Sequence, residues 1–585
     1  MGFTGNTMTE TPHIDALAFG GKVLNSWYSG CPVCSGSRTA LMTGRQYTRV
    51  GVPGVFGDGS TTGLPLNETT VADQLKGAGY KTAIMGKWHL GQRPMFLPGA
   101  RGFDTYMGIP YSDDMGKAAR SPCPGQQQCG AGAGAGRSEV VEPSSYVYTL
   151  EDDVHGTAEN LADLNSRDPA DLTPLVFQAG GVPSTPGAQT KTGAYAGNTT
   201  ILQQPVDFTT LAPKYETFVT DFIEASKDEP FFLYMPFSHV HTTNGNQPQN
   251  QYASCRFQNT SKRGAFGDAL AEVDWLIGSV HDKLKAAGIE ENTLILFTGD
   301  NGPWMIQGLS GGSTGLLYGR YSGYWNTGKG STWEGGIHEA AFAYWKGQIE
   351  PGSRSSEVVS SLDLFPTASA LAGAALPADR VYDGRDMSGV LLQPQGKSLH
   401  DVLFFYGGGK GGAAGGPSAA RMGCWKAHWG TAPGMGGCEL GAGQHKGTAG
   451  IKCPSVQYPA DDPLIFNVCI DPSEGMPFSG ADSGTSDGAP YVGSNPGPTD
   501  GHAVTADEVQ AAKAKLVAAY QTEIATFTRG KLVTPDLLPG EVGATVRICC
   551  DKDPFKAPPA NFSCDCDGSP YSGPTDSPLG YAAKC

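Results

Sequence analysis

The chain has 585 residues, enough for two to four domains or for one large α/β domain with a smaller companion. Lys+Arg 41 against Asp+Glu 57 leave a formal net charge of −16, which repels phosphate backbones and anionic lipid surfaces and excludes a nucleic-acid role without a local basic patch. Gly 83 and Pro 42 mark a loop-rich but not disordered protein, no run nears the ~18 apolar residues of a transmembrane span, and no basic-then-apolar signal peptide opens the chain.

Over the first ~350 residues short apolar runs alternate with helical patterns, the signature of a parallel α/β sheet. Thr70 with Asp73 caps a helix over 71–76, glycines at 77 and 79 end it, and residues 81–85 read as the next strand. Leu270, Val273, Leu276, Ile277, Val280 and Leu284 recur at three- and four-residue steps on one helix face. Gly288 stops that helix, and 293–298 follows as a buried strand. In such sheets ligands bind beyond the carboxyl ends of strands, which directs attention to 86–90 and 299–303. Further on, strand-like pieces at 402–406 and 464–468 and a helix opened by the capping box Thr505-Ala-Asp-Glu508 read as a second, smaller domain. Low-complexity stretches at 130–136, 407–416 and 479–500 are surface loops or insertions.

Of the 14 cysteines, Cys549, Cys550, Cys564, Cys566 and Cys585 crowd the end of the chain, and Cys123 and Cys129 bracket a Gly-rich loop. Adjacent Cys-Cys and Cys-x-Cys do not match zinc spacing and suit a disulfide-stapled tail in an oxidising compartment. The sequons at Asn67, Asn198, Asn259 and Asn561 point the same way.

The most specific stretch is Cys31-Pro-Val-Cys-Ser-Gly-Ser-Arg-Thr-Ala-Leu-Met-Thr-Gly-Arg45. Cys34 lies four residues before Arg38, so one helical turn brings a guanidinium beside the sulfur, lowering its pKa or holding an anion nearby. A pairing of Cys34 with Cys31, or plain burial, is the competing reading.

This stretch resembles the sulfatase signature C-x-P-S-R-x-x-x-[LM]-T-G, whose cysteine is oxidised after translation to formylglycine, the nucleophile. Gly36 departs from it, standing where that family has proline or sometimes alanine, a position that helps the maturation enzyme recognise the segment. Further blocks follow in the family's order. Gly86-Lys-Trp-His-Leu-Gly91 resembles G-K-W-H-L-G, which makes Lys87 a sulfate-holding lysine and His89 the base on the hydrated aldehyde. The segment 231–241 resembles the strand leading to the histidine that protonates the leaving alcohol, here His241, with His239 as a structural neighbour. Thr298-Gly-Asp-Asn-Gly-Pro303 resembles T-x-D-N-G-P, making Asp300 and Asn301 metal ligands, hard oxygen donors suited to Ca²⁺. Gly328-Lys-Gly-Ser-Thr-Trp-Glu-Gly-Gly336 resembles G-K-x-x-x-x-E-G-G, with Lys329 as the second sulfate lysine. Gly108-Ile-Pro-Tyr-Ser-Asp113 resembles a loop supplying an active-site serine, Ser112, and His428 is expected to reach the pocket rim from the second domain.

The resemblance spans nearly the whole chain and is strongest to arylsulfatase A and its lysosomal relatives, members of the alkaline-phosphatase-like superfamily. It implies an α/β fold: a large, mostly parallel or mixed sheet sandwiched by helices, with a smaller C-terminal α+β domain carrying an antiparallel sheet. The expected division is a catalytic domain over 1–400, a C-terminal subdomain over 401–545 and a Cys-rich tail over 546–585. It further implies a sulfuric ester hydrolase working through one Ca²⁺ and formylglycine derived from Cys34, with catalytic Cys34, Arg38, Lys87, His89, His241 and Lys329. Substrate is held by Lys87, Ser112, His241 and Lys329, and the metal by modified Cys34, Asp300 and Asn301. The implied partners are a small-molecule, glycan or lipid sulfate ester and the formylglycine-generating enzyme, in the secretory pathway, lysosomal or extracellular. The family opens on a strand ending Asp-Asp, which supplies two more metal ligands; Met1-Gly-Phe3 fits the positions after it, so that strand and any signal peptide are expected upstream of residue 1. The alternatives are a phosphomonoester or phosphonate hydrolase of the same superfamily and an inactive glycoprotein that kept the fold. The sequence sets no oligomeric state.

Overall fold

Strands buried on both faces by helices read as near-continuous apolar runs, and the central strands here are of that kind. The computed structural model describes residues 1–116, 118–120, 173–179, 199–243, 250–323, 325–407, 415–437, 453, 455–478 and 504–533. Strand β3 (Lys81–Met85) pairs in parallel with β4 (Thr105–Gly108) and β7 (Phe231–Tyr234). Antiparallel β5 (Leu175–Ala179) and β6 (Thr199–Gln203) extend the sheet to the order β6-β5-β4-β3-β7. Alternation along β3 sends Ala83 and Met85 to one core and Ile84 to another. The first core holds Leu211, Tyr215, Phe218 and Val219 of the helix Leu211–Ser226; the second holds Leu41 and Met42 of the helix Cys34–Thr43, with Val71, Leu75 and Phe365.

A second sheet runs β11 (Ser353–Ser355), β1 (Lys22–Leu24), β10 (Ala341–Tyr344), β8 (Ile295–Thr298). A small one joins β12 (Val359–Ser360), β2 (Trp27–Tyr28) and β9 (His338–Glu339). The architecture is therefore mixed α/β. Among the described residues β7 pairs only with β3 and β8 only with β10, so each keeps an unpaired edge. Yet both faces of β7 and of β8 are packed: Phe231 and Leu233 join one core and Phe232 and Tyr234 another, as do Ile295 with Phe297 and Leu296.

The predicted elements fall close to their expected positions. The helix Val71–Gly77 carries the Thr70–Asp73 capping box, Ala265–Ala286 is the long amphipathic helix, and Ala506–Thr526 is capped by Thr505 and Glu508. The stretches 130–136 and 479–500, the cysteines of the chain end and the sequons at Asn198 and Asn561 lie outside the described residues. No described helix is long and apolar enough to cross a membrane.

The C-terminal region builds an antiparallel sheet in the order β13 (Leu403–Phe405), β14 (Ala419–Met422), β15 (Trp425–His428), β18 (Leu464–Asn467), beside a two-stranded ribbon of β16 (Gly430–Thr431) and β17 (Val456–Gln457). Helix Ala506–Thr526 covers it, with Tyr520 stacked on Trp429 at 4.0 Å, and a Cys424–Cys469 disulfide closes one end. A buried ionic cluster ties this sheet to the larger body. Lys426 Nζ pairs ionically with Glu334 Oε1 at 2.8 Å and Glu474 Oε1 at 3.0 Å, and Tyr28 OH and His338 reach Glu334 Oε2 at 2.9 Å. His428 belongs to this cluster, 2.7 Å from Glu474 and 4.6 Å from the Trp333 ring. It is wholly buried, which corrects the expectation that it reaches the pocket rim: on β15 its register turns it inward to the carboxylates.

Removing one partner of a buried ion pair costs far more than the pair contributes, because a bare charge stays in the interior. Lys426→Met, leaving Glu334 and Glu474 facing each other, is expected to lower stability by about 3–5 kcal/mol in urea unfolding. An exposed substitution such as Lys397→Met should stay within about 0.5 kcal/mol.

Candidate active site

Cys34 is the first residue of its helix, just after the extended Val33, so its sulfur sits at the positive end of the helix dipole. Lys87 follows β3, and its Nζ lies 3.6 Å from Cys34 Sγ and 2.9 Å from Ser112 Oγ. Lys329 comes in on the loop before the helix Glu334–Ile337; its Nζ donates to His241 Nε2 at 2.8 Å. Cys34, Lys87, Ser112, His89 and Lys329 are all at most 4% exposed. Burial alone would raise the Cys34 thiol. The ammonium groups of Lys329 and Lys87, with His241 and His89, outweigh it and hold the thiol well below the usual cysteine value.

Arg38 stays within electrostatic reach of the Cys34 sulfur, as its one-turn spacing suggested, but its hydrogen bonds go elsewhere. Its Nη2 and Nε both donate to Asp300 Oδ2, at 2.9 and 3.1 Å, and Nη1 donates to the Lys87 carbonyl at 2.6 Å. The guanidinium thus clamps the ends of β3 and β8 together. Cys31 and Cys34 are both free thiols, which rules out the pairing of the two. Asn301 donates to the Gly302 carbonyl, and its Oδ1 is buried without a hydrogen-bond partner.

The two imidazoles are oriented by backbone carbonyls, which accept only, so the bonded ring nitrogen carries hydrogen in each. His89 Nε2 lies 2.8 Å from the Phe56 carbonyl, which leaves Nδ1, buried and without a nitrogen or oxygen partner, as the lone pair. This residue is at φ 60, and burial first, then Lys87, pull its pKa down to about 4, so it is neutral above that pH. His241 Nδ1 lies 2.8 Å from the Thr242 carbonyl, turning the Nε2 lone pair to Lys329. His239 instead bonds Glu272 at 2.7 Å inside the body, as a structural neighbour.

The glycines of the motifs have a steric reason. A Cβ on Gly302 would come within 2.0 Å of the Gly335 carbonyl oxygen, and one on Gly328 within 2.2 Å of that of Pro303. The loops bearing Asp300 and Lys329 therefore pack backbone on backbone. Nine singled-out residues, Cys34, Arg38, Lys87, His89, Ser112, His241, Asp300, Asn301 and Lys329, meet around this one pocket.

The sulfatase family matches residues 1–374, and the C-terminal region of aryl-sulfatase matches 398–487. The chain belongs to the sulfatase family. Arylsulfatase A of Homo sapiens is 34% identical over 494 residues, 83% of this chain and 82% of that protein. Arylsulfatase G of Canis lupus familiaris is 34% identical over 483 residues, covering 80% and 76%, and steryl-sulfatase of Rattus norvegicus 32% over 519, covering 82% of each. The crystal structure of the PsFucS1 sulfatase from Pseudoalteromonas sp. shares the fold with a TM-score of 0.65 at 24% identity, covering 91% of this chain and 89% of that one. The protein is thus of a family of sulfuric ester hydrolases.

Sequence reasoning missed one residue of this sulfatase pocket and the role of another, Cys31. Asp114 Oδ1 is buried, 3.9 Å from His241 Nδ1; burial would raise its carboxyl, but His241, a Ser112 bond and Lys87 keep it below the usual value. Its signal was adjacency to Ser112. Cys31 explains Gly36: a Cβ there would lie 2.4 Å from Cys31 Sγ and 3.1 Å from Tyr47 Cγ, so the sulfur fills the space a larger residue needs.

Gly36→Ala is expected to cost about 1–3 kcal/mol by overpacking, and Cys31→Ala in the same chain to recover at least half, read from thermal melts of the four variants. With Cys34 left as a thiol, its ultraviolet thiolate absorbance should persist well below the usual value of 9.0. Lys87→Met with Lys329→Met removes both cations and should move that titration upward.

Proposed function

We propose that this pocket hydrolyses sulfate monoesters through formylglycine made from Cys34, assisted by one Ca²⁺. The observation that carries the reading is the buried ring of two ammonium groups and two imidazoles around position 34, a site whose charge suits a small dianion or monoanion and whose nucleophile stands within it. Lys87 and Lys329 neutralise the sulfuryl oxygens, and Ser112 fixes the Lys87 ammonium. His241, once the substrate draws Lys329 away, takes a proton from water at its Nε2 lone pair and passes it to the leaving alcohol oxygen. His89, neutral with Nδ1 free, takes the proton that lets sulfate depart. Arg38 keeps Asp300 in position through its paired bonds.

The donor set fits part of a calcium shell: the Asp300 carboxylate and the orphaned Asn301 Oδ1 are hard oxygens, where Ca²⁺ takes about 6–8. Bound there, the cation would add positive charge against the sulfate oxygens. Among the described residues β7 and β8 each keep an unpaired edge, which supports the further donors coming from a strand between them. Both edges end near Arg38, which bonds Asp300 and acts on Tyr234. The Cys424–Cys469 disulfide, the disulfide-bonded Cys255 and Cys453, and the exposed Asn67 and Asn259 support a secretory-pathway protein, lysosomal or extracellular, matured by the formylglycine-generating enzyme.

The test is sulfate release from para-nitrophenyl sulfate at acidic pH alongside mass spectrometry of the Cys34 peptide. An aldehyde at 34, turnover of the sulfate ester above that of para-nitrophenyl phosphate, and a loss of about 100-fold or more in kcat/KM for Lys87→Met or His241→Ala are expected. An unmodified thiol throughout, or a converted chain that releases no sulfate, overturns the reading.

A further inference from the structure

The sulfuryl group is common to every ester this site could take, so discrimination falls to whatever touches the alcohol. On the His241 side of the pocket that role falls to Trp304, the residue that follows the Asp-Asn-Gly-Pro turn. Its ring lies 4.9 Å from Lys329 Nζ and 5.9 Å from the His241 ring. The indole is half-buried, and its Nε1 donates to the Met435 carbonyl at 3.2 Å. Met435 belongs to the C-terminal region, and its own N–H donates to the Lys329 carbonyl at 2.5 Å. Gly434 N–H donates to the Asn326 carbonyl at 2.7 Å, and Asn326 Nδ2 returns to Gly437 at 2.6 Å. The strap 434–437 therefore holds Trp304 and Lys329 in fixed relation, with the indole locked before any ligand arrives. Downstream in the same loop Leu316, Tyr318 and Trp325 are exposed apolar side chains.

We propose that Trp304 is a specificity-determining residue: its indole forms the wall of a leaving-group subsite for alcohols whose sulfate-bearing oxygen is attached to a ring. This rests on the sulfate-ester reading above and names the class of alcohol that reading leaves open. The leaving oxygen must lie at His241 Nε2 to receive its proton, and a ring carried by that oxygen then meets the indole. A flat phenyl, or the apolar face of a pyranose, gains contact with the face of the indole in addition to its burial. An acyclic alkyl group offers no such face. Because Nε1 is tied to Met435, the indole loses little freedom on binding, which preserves that gain.

The test separates this from the chemistry by measuring binding in a chain that cannot turn over. In Cys34→Ala with Ca²⁺ present, calorimetry gives Kd for phenyl sulfate, a pyranose sulfate, ethyl sulfate and inorganic sulfate, with Trp304 intact, as Trp304→Phe and as Trp304→Ala. Trp304→Ala should weaken a ring sulfate three- to tenfold while leaving ethyl sulfate and inorganic sulfate within twofold, and Trp304→Phe should restore phenyl sulfate at least halfway. Loss with phenyl sulfate alone assigns the subsite to aryl alcohols, and loss with the pyranose ester alone to sugars. An equal loss across all four ligands would mean that Trp304 only steadies Lys329, and an unchanged Kd for both ring ligands would mean that it touches no alcohol; either overturns the proposal while leaving the anion pocket standing. Failure of the Trp304-intact chain to bind any of the four sinks the sulfate reading and this proposal with it.

Discussion

Everything in the pocket answers to one electrostatic problem: several cationic or proton-carrying groups are packed in the interior around a single sulfur, where burial penalises charge. Water solvates none of them well, since the two lysines are at most 4% exposed. The arrangement is tolerable because each has a partner of some kind. Lys87 has Ser112, Lys329 has His241, and both draw negative charge onto Cys34. A bound anion would relieve the same tension more completely. The pocket therefore selects for negative ligands before any specific contact is considered.

Positioning such a cluster demands rigid supports from distant parts of the chain. Arg38, reaching from the first long helix to Asp300 and to the Lys87 carbonyl, is the tie between β3 and β8. The glycines at 302 and 328 let the Asp300–Asn301 turn and the lysine loop touch backbone to backbone, which fixes their separation more tightly than side chains could. Glu334, in the same lysine loop, extends the support outward into Lys426 and the C-terminal sheet.

Much of this was legible in the chain order of the residues. Long elements with clear caps, such as Val71–Gly77 and Ala265–Ala286, fell where their periodicity put them, because local signals and burial agreed. The motif residues were findable because their chemistry is concentrated in short blocks at strand ends. Three things were not. Arg38, though within electrostatic reach of the sulfur, gives its hydrogen bonds to Asp300, because a carboxylate 262 positions away is a better acceptor than a thiol one turn back, and spacing within a helix carries no information about that. His428 went into the core because the carboxylate that receives it, Glu474, comes from a distant segment. The reason for Gly36 lay in the side chain of Cys31, a contact of volumes that no pattern of residue types announces.

Glu334 has a consequence for how the molecule can vary. It stands in the glycine-flanked block that delivers Lys329, yet its carboxylate is spent on Lys426, Tyr28 and His338. The smaller region is thus a structural creditor of the larger one, not an appendage. Shortening the chain near residue 400 would take Lys426 and Arg421 away from Glu334 and leave that buried carboxylate, directly behind the lysine loop, to Tyr28 and His338.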